Sequence, residues 1–113
     1  MAFDGKEGKP ITLEQAKRWT KRYRDENEGA VKAQFFGCEH IQKILDEPGC
    51  MGIRVYYGID DEGNPKLMLV GAKSDQNNIL PTSEGKDGDE GIILDDGANC
   101  PDQCPTGSDP LTD

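Results

Sequence analysis

The chain has 113 residues, of which 34% are hydrophobic and 31% are charged, and its formal net charge is −9. Residues 81–113 carry one lysine against nine acids, whereas residues 1–50 are balanced at nine of each sign. The length is typical of one domain, the acidity argues against nucleic-acid binding, and no stretch approaches the ~20 apolar residues of a membrane span.

Residues 1–11 are polar and predict a flexible lead-in to a first helix, which should run from about residue 13 to residue 27. Thr12 and Gln15 form a capping-box pattern, and Ile11 is placed to act as a hydrophobic staple. An apolar stripe at helical spacing predicts the buried face, with Trp19 as its core anchor. The stripe consists of Leu13, Ala16, Trp19, Thr20 and Tyr23.

The other faces of this helix are basic. They predict either a solvated surface or a docking patch, for an acidic partner or for the acidic tail of the chain itself. These cations are Lys17, Arg18, Lys21, Arg22 and Arg24.

The next segment, residues 30–36, is short and apolar at both ends, so periodicity does not separate strand from helix. A second helix is predicted over about residues 38–46, where Pro48 and Gly49 follow as a stop signal. Its inward-facing side chains should be Ile41, Ile44 and Leu45.

The clearest strand signal covers residues 51–58, which are rich in β-branched and aromatic side chains. A turn follows at residues 60–64, in which Gly63 can adopt a positive φ. The returning strand, residues 66–72, is apolar on both faces, which favours a central position in the sheet. Residues 73–90 are predicted to form a long polar loop, and residues 91–95 a short third strand.

We therefore predict an α+β fold in which two N-terminal helices pack on a small antiparallel sheet. The sheet consists of the hairpin 51–72 and a short strand near 91–95. The domain covers residues 1–95, and residues 96–113 form an extended acidic tail rich in Gly, Pro and Cys, with too few apolar residues to fold alone.

Several strings in this chain resemble a group of small uncharacterised proteins from Bacteroidota-type bacteria. The resemblance covers most of the chain after Thr12 and implies a coherent fold without implying catalytic residues. The strings are Phe35-Phe-Gly, Ile44-Leu, Pro48-Gly-Cys-Met-Gly-Ile-Arg-Val-Tyr-Tyr-Gly58, Leu67-Met-Leu-Val-Gly71 and the closing motif Cys100-Pro-x-x-Cys-Pro105.

The four cysteines allow three interpretations. Cys38 with His40, and Cys100 with Cys104, could supply two ligand pairs for zinc, although neither spacing is usual for a zinc site. Disulfides could instead join Cys100 to Cys104 and Cys38 to Cys50. In the third interpretation Cys38 and Cys50 are small buried hydrophobes and the tail thiols are free. A redox enzyme is not favoured, because the tail motif is not Cys-x-x-Cys.

The acidic residues suggest calcium, and an irregular site could form from Asp87, Asp89, Asp95 and Asp96. An EF-hand is excluded, because the loop lacks the required glycine and final glutamate. His40 should be a partly exposed helix residue, and no third group is evident that would orient a Cys50–His40 pair for hydrolysis. Because phosphate-binding and nucleophile-elbow motifs are also absent, we predict no enzyme and no cofactor, with zinc and calcium as the alternatives.

We predict a non-catalytic interaction or self-assembly protein that forms a homo-oligomer or filament through its tail or an open sheet edge. The alternatives are a metal-binding or thiol-redox module centred on Cys100 and Cys104, and an acidic immunity- or decoy-type protein. The sequence shows no signal peptide, so the cytoplasm is the default location, with export by a signal-less route as the alternative. The expected interaction residues are Cys100, Pro101, Cys104, Pro105, Arg54 and Tyr56.

Overall fold

A computed structural model describes residues 2–81 and 91–113 of the chain. These ranges contain helices and strands in the order α1 (Leu13–Glu26), β1 (Ala33–Phe35), α2 (Cys38–Leu45), β2 (Cys50–Ile59), β3 (Pro65–Lys73), β4 (Ile93–Leu94) and β5 (Ala98–Cys100). The strands form two antiparallel sheets, one ordered β2-β3-β4 and the other β1-β5. The α+β class predicted from the sequence is confirmed.

The chain divides into two compact units. The first unit consists of residues 1–7 and 36–97, and it contains α2 and the sheet β2-β3-β4. The second unit consists of residues 8–35 and 98–113, and it contains α1 and the sheet β1-β5. The second unit is therefore assembled from two segments that are distant in the sequence.

The core of the first unit lies around β3, the central strand of its sheet. Leu69, Val70 and Ala72 are all buried there, and Ile44 of α2 is completely buried. The predicted central position of this strand and the predicted hairpin are thus confirmed. Leu45 was predicted to face inward but is 44% exposed. One residue advances ~100° around a helix, so the two-turn α2 turns Ile44 toward the sheet and Leu45 away from it.

Close approach between the end of α2 and the hairpin depends on Gly71. A Cβ atom at this position would lie 2.9 Å from Glu47 Oε1 and 3.1 Å from Cys50 Sγ. The Glu47 carboxylate also accepts a hydrogen bond from the main-chain N–H of Ile92 at 2.9 Å. Glu47 therefore connects the end of α2 to the segment that leads into β4.

The turn between β2 and β3 is organised by Asp60, whose carboxylate accepts hydrogen bonds from the amides of Glu62 and Asn64 at 2.9 and 2.8 Å. Gly63 adopts a φ of +88°, as predicted. The hydrogen bonds from the main-chain N–H groups of Asn64 and Glu62 favour the charged carboxylate and so lower the pKa of Asp60. The negative charge therefore stabilises the turn that sets the hairpin register.

In the second unit, α1 begins as predicted, because Thr12 Oγ1 accepts a hydrogen bond from the amide of Gln15 at 3.1 Å. The predicted buried stripe is wrong: no side chain of α1, all of which is described, is buried. Trp19, predicted as a core anchor, is 55% exposed. The sheet β1-β5 has only three residue pairs, which is too little apolar surface to cover a helix of 14 residues.

The ambiguous segment 30–36 contains strand β1. It pairs with β5 in the register Ala33↔Cys100, Gln34↔Asn99 and Phe35↔Ala98, and the Lys32 amide bonds to the Cys100 carbonyl at 2.8 Å. Strand β5 thus lies in the segment that the sequence predicts as a tail.

The third strand predicted near residues 91–95 is confirmed as β4, which pairs with β3. Residues 82–90, and with them Asp87 and Asp89 of the predicted calcium site, lie outside the described residues. Among the described helices, none has the length and apolar character needed to cross a membrane.

Candidate functional site

The outer edge of β2 presents main-chain groups that β3 does not use. Gly71 of β3 accepts a hydrogen bond from the Ile79 amide at 2.8 Å, so its main-chain polar groups point away from β2. Ile53 lies opposite Gly71, and the two therefore form a non-hydrogen-bonded pair of the antiparallel ladder. Because this orientation alternates along a strand, the N–H and C=O groups of Ile53, Val55, Tyr57 and Ile59 point outward from the sheet.

Three of these four residues also carry exposed apolar side chains, whereas Ile53 is half-buried. Val55 is 47% exposed, Ile59 76% and Tyr57 87%. Within the described ranges, residues 53–59 form main-chain hydrogen bonds only with β3. An open strand edge and an exposed apolar surface thus coincide, which is a common site for pairing with another chain.

Arg54 and Tyr56, predicted as interaction residues, point to the other face of β2 and contact their own chain. The Arg54 guanidinium donates to Asn78 Oδ1 at 2.6 Å and to the Gln76 carbonyl at 3.1 Å, and it lies 5.3 Å from the centre of the Phe3 ring. Asn78 Nδ2 in turn donates to the Tyr56 hydroxyl oxygen at 2.7 Å, which lowers the pKa of Tyr56 together with the nearby Arg54 charge. This network fixes the loop after β3 to the hairpin.

The tail motif forms a disulfide between Cys100 and Cys104, whose Cα atoms are 4.7 Å apart. Cys100 is buried, and the Gln103 amide bonds to the Asn99 carbonyl at 2.8 Å inside the loop. Pro101 lies within this loop and Pro105 follows it, and both are exposed.

The other two cysteines are free, so the predicted alternative of a Cys38–Cys50 disulfide is wrong. Cys38 is exposed rather than buried, whereas Cys50 is half-buried and its thiol donates to the Gly52 carbonyl at 3.3 Å. The two cysteines differ in exposure because of their positions. Cys38 is the first residue of α2, whereas Cys50 is the first residue of β2 and lies close to the end of that helix.

One cation of the basic helix contacts the C-terminal segment. The Arg24 guanidinium donates to the carbonyl oxygens of Leu111 and Asp113 at 2.5 and 3.0 Å, and Lys32 Nζ donates to that of Thr112 at 3.0 Å. The Asp113 carboxylate accepts from Ser108 and from the Asp109 amide, which lower its pKa with the help of Arg24 and Lys32. The chain's own C-terminal segment therefore binds to this helix through Arg24.

Three other cations of α1 pair with acids of the same helix. The pairs are Lys17–Glu14, Lys21–Asp25 and Arg22–Glu26, at 3.8, 2.7 and 3.0 Å. All six side chains are at least 48% exposed, as in an ordinary solvated helix surface.

The candidate metal ligands are spread over the chain. Cys38 and His40 are exposed on α2, and Asp96 lies 3.7 Å from Lys66 as an ion pair. Cys100 and Cys104 bond to each other, which removes both thiolates as ligands in this state. In the part of the chain that the structure describes, no group of three or more His, Cys, Asp or Glu side chains could hold a metal ion.

A second site, which the sequence did not indicate, lies in the second unit. A cavity of about 580 Å³ is lined by residues of β1, β5 and the C-terminal segment. Gln34 Nε2 donates to Asn99 Oδ1 at 2.7 Å, while Gln34 Oε1 is buried without a hydrogen-bond partner among the described residues. No local sequence pattern predicts the burial of Gln34, because it depends on the pairing of β1 with β5, which are distant in the sequence.

Comparison with known proteins finds no match among protein-family models, curated proteins or solved structures. The resemblance to small Bacteroidota-type proteins therefore stays a prediction.

Proposed function

We propose that this protein is a non-catalytic self-associating protein in which strand β2 of one copy pairs with β2 of a second copy. The observation that carries the proposal is the outward orientation of the main-chain groups of Ile53, Val55, Tyr57 and Ile59. Strand addition satisfies such groups without any change to the existing sheet.

Antiparallel pairing about a two-fold axis is the simplest arrangement of two identical edges. Each copy then contributes the same surface, and the three-stranded sheets join into one continuous six-stranded sheet. Residues 53–59 suit this contact, whereas Gly5 approaches Met51 at the start of the strand. The pairing therefore centres on the second half of β2.

The exposed side chains strengthen the same contact. Tyr57 and Ile59 point to one face of the sheet, and in an antiparallel pair centred on Gly58 each Tyr57 lies opposite Ile59 of the second copy. An aromatic and a β-branched residue across neighbouring strands are a favourable combination, worth up to about 1 kcal/mol per pair. Main-chain bonds thus supply the register and the side chains add apolar burial.

Light scattering coupled to gel filtration tests the proposal at tens of micromolar. The wild-type chain of 12.4 kDa should elute as a particle of twice that mass. The double variant Tyr57→Lys/Ile59→Lys should be a monomer, because charged edge residues oppose strand addition. Leu80→Lys is the matched control, since Leu80 is 53% exposed but lies off this strand, and it should remain a dimer. A monomeric wild type would refute the proposal.

A thiol-redox module is the second candidate, and the Cys100–Cys104 disulfide favours it. For a cytoplasmic protein, as we propose, the surrounding thiol pools keep most cysteines reduced. In that setting the disulfide would function by being reduced and re-formed. Cys100 and Cys104 are then the residues of the tail that change chemically.

Thiol counting on protein purified without reductant tests this candidate. Two free thiols in the native protein and four after reduction are expected, because Cys38 and Cys50 are free. Incubation across a range of glutathione ratios should then show a midpoint within the cytoplasmic range. Four free thiols at every ratio would exclude it.

A further inference from the structure

The two cysteines of the tail disulfide differ in how much of their surface is exposed. Cys100 is the last residue of β5 and is only 2% exposed. It lies opposite Ala33 of β1, and its carbonyl oxygen accepts a hydrogen bond from the Lys32 amide at 2.8 Å. Cys104 lies beyond the strand, between two exposed residues, and is half-buried. The disulfide thus joins a residue with almost no exposed surface to one that keeps a larger exposed fraction.

This difference decides which sulfur an incoming thiolate can reach. In thiol–disulfide exchange the thiolate attacks one sulfur and the other sulfur leaves, so the rate depends on access to the attacked sulfur. Both cysteines border the cavity described above. Because Cys100 is only 2% exposed, its sulfur is closed to a thiolate in the native state. An attack on the native disulfide therefore has to take place at Cys104.

We propose that a small thiol exchanges with this disulfide at Cys104 Sγ, with Cys100 as the leaving and resolving sulfur. The assignment rests on the thiol-redox function proposed above, and it specifies the attacked atom and the class of reacting partner. The thiolate forms a bond to Cys104 Sγ while the Cys100–Cys104 bond breaks, and the electron pair of that bond goes to Cys100 Sγ, which takes a proton from water. A second thiolate then attacks the outer sulfur of the mixed disulfide, so that two thiols are oxidised to a disulfide and the protein disulfide is reduced.

The burial of Cys100 also favours reversal of the first step. A thiolate without hydration is destabilised, so the released Cys100 sulfur gains free energy by closing on Cys104 again. The Gln103 amide bonds to the Asn99 carbonyl at 2.8 Å, and this contact involves neither sulfur. It keeps the loop closed and the two cysteines near each other after the first step. The mixed disulfide on Cys104 should therefore accumulate only when Cys100 is replaced.

Exchange with 2-mercaptoethanol on the oxidised full-length chain tests the proposal. The Cys38→Ser background removes the exposed free thiol, and the half-buried Cys50 is read separately on its own peptide. The reaction is stopped early with acid, free thiols are blocked with N-ethylmaleimide, and fragment-ion mass spectrometry locates the probe on Cys100 or Cys104. The adduct on Cys104 should exceed that on Cys100 by on the order of ten-fold, because access to the attacked sulfur sets the rate.

Two controls connect this preference to burial and to the roles of the two sulfurs. In urea that unfolds the second unit, both sulfurs are open to solvent, and the preference should fall to near parity. In the same background, Cys100→Ser incubated with bis(2-hydroxyethyl) disulfide should accumulate the Cys104 adduct, since no resolving sulfur remains. Cys104→Ser should leave Cys100 largely unmodified under the same conditions, because Cys100 is buried in the β1–β5 pair.

The outcomes separate this proposal from the redox function on which it rests. If Cys104→Ser unfolds the second unit, the adduct ratio in the chain with both tail cysteines still decides. Equal adducts on the two sulfurs, a preference for Cys100, a preference that persists in urea, or no exchange in the native state would overturn the assignment of Cys104 alone. If no Cys100–Cys104 disulfide forms in oxidised glutathione, both the redox function and this assignment are wrong.

Discussion

Ile53 lies directly opposite Gly71 in the β2–β3 ladder, and the Gly71 carbonyl is bonded to Ile79 on the far side of β3. This relationship fixes the direction of the main-chain groups of β2 from Ile53 to Ile59. Odd-numbered residues from Ile53 to Ile59 point outward, and even-numbered residues bond to β3.

Proline substitutions should distinguish the two sets of residues. Pro in place of Tyr56 removes an N–H that bonds to β3, whereas Pro in place of Tyr57 removes one that points outward. Relative to alanine at the same position, we expect Tyr56→Pro to lower the free energy of unfolding by about 2 kcal/mol more than Tyr57→Pro. Urea denaturation of the monomeric protein at low concentration measures both differences. Equal losses at the two positions would show that the deduced orientation is incorrect.

Gly71→Ala should destabilise the first unit, because the added methyl group meets Glu47, Cys50 and Ile44 at 2.9–3.2 Å. Overpacking of this kind costs about 1–3 kcal/mol. Gly52→Ala is the matched control on the adjacent strand, since its Cβ would meet nothing within 4 Å. Thermal unfolding should rank Gly71→Ala well below Gly52→Ala, and a reversed order would contradict the packing described for α2.

Glu47 should make stability fall as the pH rises. Burial raises the pKa of its carboxyl from the ordinary value of 4.5, and the Ile92 N–H offsets this only in part. The native state therefore holds the proton more tightly than the unfolded state, so the free energy of unfolding decreases as the pH rises through the window between the two pKa values.

Glu47→Gln removes this titration and can still accept from Ile92 through its amide oxygen. It should be more stable than wild type near pH 7, and the difference should shrink on acidification to about pH 4. Urea denaturation across this range measures the difference between the two proteins. The main-chain N–H of Asn77 lowers the pKa of Asp75, as hydrogen bonds do for Asp60 and Asp113, and these contributions are the same in both proteins and cancel. A difference independent of pH would rule out Glu47 as its source.

Arg24→Gln should loosen the C-terminal segment, because Arg24 donates to the carbonyls of both Leu111 and Asp113. We expect amide hydrogen exchange over residues 108–113 to accelerate several-fold. Arg22→Gln is the control, since Arg22 bonds to Glu26 within the helix and is 81% exposed. Identical exchange in both variants would mean that Arg24 does not hold the segment.

Local signals in the sequence predicted most of the first unit. Alternation, the Asp60–Asn64 turn and the doubly apolar returning strand identify the hairpin, and β3 is central as its composition indicated. The edge position of β2 was not accessible in the same way, because it depends on which side of β3 the later strand joins. The exposed Tyr57 therefore became a site residue only through the strand order.

The second unit was less predictable for a physical reason. Strand β5 reads Ala98-Asn-Cys100, without a β-branched or aromatic residue, and its partner β1 lies about 65 positions earlier. A pairing over such a distance leaves no periodicity in either segment. The stripe on α1 shows which side chains could be buried, but burial requires a surface to cover them, and the short sheet does not provide one.

The discontinuous second unit also sets an order of events during synthesis. Helix α1 and strand β1 leave the ribosome before their partner strand β5 and the anchoring residues 108–113 are made. The hairpin β2-β3, which lies between these segments, can fold first, and this shortens the loop that must close and reduces its entropic cost. Early chain termination before residue 98 would thus spare the hairpin unit and leave α1 and β1 as an unpaired, exposed N-terminal segment.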